Sequence, residues 1–250
     1  MLTTYLKRGV KAGLLAGLAF GILVAVVANP LIGFADGFAD HDHATGDGHS
    51  HDESVVSAAV TNGVSVVSGV LWGIFLGGVV FGIAYYFLEP AIPGTGGTKS
   101  YLLAAAGFVT VSGAPWLVLP PQPPGIEAAL ATETRLLLYG GMMVAGGLVS
   151  AASGVLYRRL RGSHSRVTAT VAALLPVSLL AIPAALAPVP PAESALPPEL
   201  AAGLTGLVVF GQALLWLLLA GTHARLHGRS EGATKTELAA TAADESVAAD

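Results

Sequence analysis

Long apolar runs separated by short polar connectors dominate the chain. Six of them approach or exceed the roughly 20 residues an α-helix needs to cross a hydrocarbon core: residues 10–31, 64–88, 101–119, 136–157, 167–187 and 201–222. The pattern predicts an all-α integral membrane protein, a bundle of about six transmembrane helices. Strands of a membrane barrel would instead alternate apolar and polar over short segments, and these runs do not alternate. The fifth run is the weakest, because Pro176 and Pro183 interrupt it. Seven residues apart, the two prolines fall on one helix face and predict a kink there. After Arg229 the residues are small, polar and mildly acidic, which predicts a disordered tail over 229–250 behind a membrane domain over 1–228.

Charge fixes the expected direction. With the N-terminus in the cytoplasm and all six runs spanning, Lys7, Arg8, Lys11, Lys99, Arg158, Arg159, Arg161, Arg166, Arg225, Arg229 and Lys235 fall inside, and Arg135 alone falls outside. That bias is the positive-inside signature, with both termini cytoplasmic. Tyr5, Tyr85, Tyr86, Tyr101, Tyr139 and Tyr157, and Trp116 with them, sit near run ends, where amphipathic rings meet the interface. Trp72 and Trp216 lie deeper and are expected in packing. The basic start, first apolar run and Val26-Val27-Ala28 also fit a secretory signal. The run is longer than a signal core and its glycines are patterned, which favours a retained span.

Composition agrees with lipid as the solvent. Only 11% of residues are charged, against roughly a quarter in soluble domains. The chain has no cysteine, which excludes disulfides and thiolate metal sites. No nucleic-acid partner is expected. No GxSxG elbow, HExxH pair or buried carboxylate pair is evident, so the chain is not expected to be an enzyme.

Glycine repeats every fourth residue at Gly9, Gly13, Gly17 and Gly21, and again at Gly69, Gly73 and Gly77, with Gly78 and Gly82 nearby. This spacing lines one helix face and lets backbones approach closely. The first two spans are expected to pack through it, as tight bundle packing or as a sliding contact. Within the apolar runs no ionisable group reaches mid-membrane. Asn29, before Pro30, and Gln212 are the polar positions there. Each suits a helix–helix hydrogen bond or the lining of a solute path. Glu89 ends the second run.

One segment stands apart. Residues 34–54 (FADGFADHDHATGDGHSHDES) carry four of the seven histidines and no Lys or Arg. His41 with His43 and His49 with His51 make two H-x-H pairs around a glycine-bearing linker, with Asp42 and Asp52 beside them. Imidazole and carboxylate together suit borderline divalent ions, and the acids concentrate cations electrostatically. The competing reading is a solvated acidic loop. His164, His223 and His227 lie among arginines and read as solvated surface.

The third run ends in APWLVLPPQPPG, residues 114–125, where dense proline predicts a stiff extended connector. Here the chain resembles the CbtA family of cobalt transporter subunits, whose stretch P-x-L-K-Y-P-x-N-P-P-x-x-G is matched by the prolines Pro115, Pro120, Pro123 and Pro124, with Trp116 and Gly125 inside the same stretch. Thr134–Tyr139 is similar to the family's R-x-x-L-Y entry into the next span, and Glu53–Ser57, Pro188–Pro198 and Gln212–Trp216 add weaker matches. The family's Lys-Tyr is Val118-Leu119 here, and its N-P-P is Gln122-Pro123-Pro124. The resemblance implies a multi-pass protein of the prokaryotic cytoplasmic membrane. It implies cobalt uptake beside a small His-bearing membrane subunit, CbtB, in the service of corrinoid synthesis. The expected activity is capture of an ion on the His/Asp loop and passage through the bundle. No permanently bound cofactor is expected, only transient Co²⁺, with Ni²⁺ and Zn²⁺ as alternatives. The rival is a non-transporting scaffold or metal sensor.

Overall fold

The computed structural model describes residues 2–42, 57–122, 130–187 and 196–248. Helix α1 runs Leu2–Leu23, widens through a π-helical stretch Val24–Ala28 and continues over Asn29–Asp42. Helix α2 does the same, with Ala58–Ile74, the wide stretch Phe75–Gly82 and Ile83–Leu88. Helix α3 comprises Gly97–Phe108, the wide stretch Val109–Gly113 and the short end Ala114–Trp116. Helix α4 is Thr132–Arg161, α5 is Arg166–Ser178 with Ala181–Leu186, and α6 is Pro198–Ala248.

Five of these are long and apolar enough to cross a bilayer: Leu2–Ala35, Ala58–Leu88, Thr132–Arg161, Arg166–Leu186 and Pro198–Gly228. The chain is a multi-pass, all-helical membrane protein. The third expected span is helical but falls short of that standard. Lys99 and Ser100 open it, Thr110 and Ser112 lie in its wide stretch, and Pro115 closes it. Helix α6 runs on to Ala248, across the residues expected to be a disordered tail. That stretch is rich in Ala and has no proline, which favours a helix by intrinsic propensity.

Helices α1 and α2 form an antiparallel pair through the glycine stripes. A Cβ placed on Gly13 would stand 2.0 Å from the Gly73 carbonyl oxygen, and one on Gly17 would stand 2.3 Å from that of Gly69. Gly9 meets the Gly77 carbonyl at the same 2.3 Å. No side chain fits, so the backbones touch and van der Waals contact joins the pair. Residues between the stripes, Ala12, Ala16, Leu76 and Phe81, turn toward α3 and α6. There they join Leu103, Ala104, Leu215, Trp216 and Leu219 in the main core. Gly107 admits the Trp216 ring against the α3 backbone. Trp72 departs from its expected packing role: it is 49% exposed and stacks on Phe75.

Helices α4 and α5 make a hairpin on the other side of α3. Met142 and Val149 of α4 and Leu180 of α5 pack with Ala114 and Val118, and Gly146 lies close against Thr110 and Ala114. Tyr139 Oη donates to the Val111 carbonyl at 2.7 Å within the wide stretch of α3. The expected kink in α5 is a break at Leu179–Leu180. Pro183 has no N–H for the carbonyl of Leu179 four residues back, and that carbonyl accepts from Ile182 N instead, at 3.1 Å.

Candidate functional site

The His/Asp segment begins on α1. The helix carries Phe34 through Asp42, so His41 and Asp42 are its last residues. His43, His49 and His51, with Asp47, Asp52 and Glu53, lie outside the described residues. Among the described residues no three His, Asp or Glu side chains converge on one point.

Asn29 ties helices together. Its Nδ2 donates to Asn62 Oδ1 at 2.9 Å and to Ser65 Oγ at 3.0 Å, joining α1 to α2 beyond the glycine stripe. Ser65 Oγ in turn donates to the Thr61 carbonyl at 3.0 Å. Gln212 lines a cleft of about 200 Å³ between α1 and α6, walled by Phe20, Leu23, Val24 and Leu207. Gln122, from the proline connector, is the other amide of its lining. Gly13, Gly17, Gly73 and Gly77 form the α1–α2 contact. In the proline motif, Pro115 is fully buried and its carbonyl accepts from Leu119 N at 2.8 Å. Trp116 packs edge-on to Phe108 at 5.8 Å between ring centroids, and Pro120 sits in the extended connector. Pro123, Pro124 and Gly125 lie outside the described residues.

The densest polar arrangement lies elsewhere, at the end of the bundle where α1 begins and α6 leaves the core. His223 and His227, expected on the solvated surface, are 0% and 7% exposed. Four helices supply the cluster. Helix α1 brings Tyr5 and Arg8. The end of α2 brings Tyr85 and Glu89. The start of α3 brings Lys99 and Ser100, and α6 brings the two histidines.

Glu89 is the hub. Tyr5 Oη donates to its Oε2 at 2.5 Å. Lys99 Nζ lies 3.8 Å from its Oε1, and His227 Nε2 lies 4.0 Å from the same oxygen. Arg8 Nη1 stands 2.5 Å from His227 Nδ1. A guanidinium can only donate, so Nδ1 is the acceptor and the proton of the neutral ring sits on Nε2, toward Glu89. His223 Nδ1 pairs with Ser100 Oγ at 2.9 Å. Its ring is enclosed by Tyr85 at 4.5 Å and Phe81 at 5.1 Å, and it lies nearly parallel to His227 at 6.3 Å between centroids. His223 Nε2 is buried and has no hydrogen-bond partner.

The sequence carried a signal for this cluster. His223-x-x-x-His227 places both rings on one helix face. The misreading came from taking the last apolar residue as the end of packing. Helix α1 starts at Leu2, ahead of its apolar run, and α6 continues past its own. The protein core therefore extends beyond the apolar runs and covers that face.

Compared with known families, the chain matches the one described as "Probable cobalt transporter subunit (CbtA)" over residues 2–228. No curated protein matches, and no solved structure does.

Proposed function

The chain belongs to the CbtA family of probable cobalt transporter subunits, and from that membership we propose that it is the membrane subunit that captures Co²⁺ on its 34–54 segment and passes it through the helix bundle. The match over residues 2–228 carries the reading, because it spans every membrane-capable helix and the His/Asp segment together. The residue chemistry supports it. Four imidazoles interleaved with carboxylates, with no competing Lys or Arg, suit a borderline divalent ion such as Co²⁺, with Ni²⁺ and Zn²⁺ close behind. The glycine-bearing linker between the two H-x-H pairs suits loose binding and fast exchange. Those are the properties of capture and hand-off rather than storage.

The bias of Lys and Arg toward one end of the bundle supports an external 34–54 segment and cytoplasmic termini. A subunit works with partners. The partner in this proposal is a small membrane protein bearing histidines of its own, which relays the ion to or from this chain.

The test is accumulation of radioactive cobalt in cells expressing the chain with its gene neighbour, against a variant with His41, His43, His49 and His51 all changed to Ala. Uptake at limiting cobalt should fall at least several-fold. Equal uptake removes the segment from the mechanism. Cobalt binding with no uptake in either form points to the scaffold or sensor reading instead.

A further inference from the structure

We infer that the turn between α4 and α5 binds the headgroup of an anionic phospholipid through Arg158, Arg159, Arg161 and Arg166. The site needs only a chain embedded in a bilayer, so it stands apart from the transport reading above.

Four of the nine residues from Arg158 to Arg166 are arginine, and the chain has no Asp or Glu between Glu133 and Glu193. A chain whose formal net charge is −4 therefore gathers four unopposed positive charges at one turn. Arg158, Arg159 and Arg166 are exposed, and Arg161 is partly so. Among the described residues none of the four forms an ion pair. Glu89, a carboxylate near the same end of the bundle, is engaged with Tyr5, Lys99 and His227.

The turn sits at the depth of lipid phosphate. Tyr157 closes the apolar run of α4 and Val167 opens that of α5, so the arginines flank the hydrocarbon boundary on both sides of the turn. A tyrosine at that boundary marks the headgroup level. Hydrogen bonds fix the turn: Ser165 Oγ caps α5 by accepting from Thr168 N at 3.2 Å, and Arg161 Nη1 donates to the His164 carbonyl at 3.1 Å. Next to it the protein offers lipid most of the α5 surface. Only Ala169, Ala173 and Leu180 of α5 are buried, while Val167, Val171, Leu174 and Leu175 are exposed.

Helix electrostatics accounts for three of the arginines and not for the fourth. Arg158, Arg159 and Arg161 lie in the last turn of α4, where a cation is favourable. Arg166 opens α5, where the helix dipole disfavours one. A phosphate between the two helix ends offsets that repulsion and gives all four side chains a common partner. The residue type agrees. A guanidinium fork holds a phosphate through two parallel hydrogen bonds, whereas an ammonium meets it as a point charge. Near the start of α1 the basic residues include Lys7 and Lys11, but at this turn every one is Arg. Basic clusters of this size beside a membrane helix attract anionic lipid, each side chain strengthening binding by roughly fivefold.

The experiment offers the detergent-solubilised full chain equal amounts of phosphatidylglycerol and phosphatidylcholine and counts the retained lipids by native mass spectrometry. The wild type should retain phosphatidylglycerol in preference. Changing all four arginines to Gln should cut that preference by roughly tenfold or more. Lys7→Gln with Lys11→Gln, which removes charge from the start of α1, should leave most of it. Thermal unfolding in phosphatidylcholine checks that each variant folds. If the quadruple variant does not, the triple Arg158→Gln, Arg159→Gln and Arg166→Gln carries the test, because it keeps the Arg161 bond to the His164 carbonyl. A wild type indifferent to the two lipids overturns the inference, as would follow if acids beyond Arg229 held these arginines. A preference that survives the arginine changes, or that falls equally in the Lys7 and Lys11 control, overturns it too.

Discussion

Gly13→Ala adds one methyl group at the tightest point of the α1–α2 contact. The new carbon would lie 2.0 Å from the Gly73 carbonyl oxygen and 2.9 Å from the Gly77 Cα. Both are backbone atoms and cannot rotate away, so the helices must part by about 1 Å or more. A gap of 0.5–1 Å already forfeits roughly a quarter to a half of each atom pair's attraction, and the loss spreads along the whole stripe from Gly9–Gly77 to Gly17–Gly69. In lipid no hydrophobic term pushes helices together, so that attraction is the main one to lose. The cost should reach the upper part of the about 1–3 kcal/mol typical of overpacking. For a chain of this size that lowers the unfolding midpoint by about 4–12 °C, at about 2–4 °C per kcal/mol. Gly63→Ala in the same hairpin is the control, because nothing stands within 4 Å of the added carbon; its effect should be neutral or slightly stabilising through helix propensity. Thermal unfolding of the solubilised protein, followed by tryptophan fluorescence, compares the two. If Gly13→Ala and Gly63→Ala unfold together, backbone contact does not hold this pair.

Three further changes probe other contacts by the same measurement. Asn29→Ala removes the bonds to Asn62 and Ser65; at roughly 0.6 kcal/mol for each bond in a membrane protein, the loss should be about 1 kcal/mol, and a loss of several would mean that Asn29 has a larger role. Trp216→Ala empties the space against Gly107 and the main core, and because lipid supplies no transfer penalty, its cost should fall below the about 3–5 kcal/mol seen for such cavities in soluble proteins; an equal or greater cost would refute that account. Pro183→Ala restores an N–H for the Leu179 carbonyl, so α5 should run through the break without loss of stability, and hydrogen exchange at residues 179–184 should slow; unchanged exchange would show that Pro183 is not the cause of the break.

The sequence determined the solvent first. Apolar runs of spanning length with so little charge leave a helical membrane bundle as the one economical solution, because every backbone group must be satisfied within its own segment. It also determined how α1 and α2 meet. A four-residue glycine period marks a face wherever the helix lies, and two such faces fit each other. The break near Pro183 and the end of α3 at the proline motif were legible for a similarly local reason, the missing N–H. What a linear pattern does not encode is which faces of distant helices cover one another beyond the apolar runs. Trp72, deep in its run, proved half-exposed, while His223, just past the end of its own, is completely enclosed by Tyr85, Phe81 and Ser100. Only the packing of four helix ends brought the half-buried Arg8 and Glu89 beside the buried Ser100 and two buried histidines. Residues more than a hundred positions apart meet there because helix orientation is set by the sum of contacts along each helix, and no single stretch of the chain contains that sum.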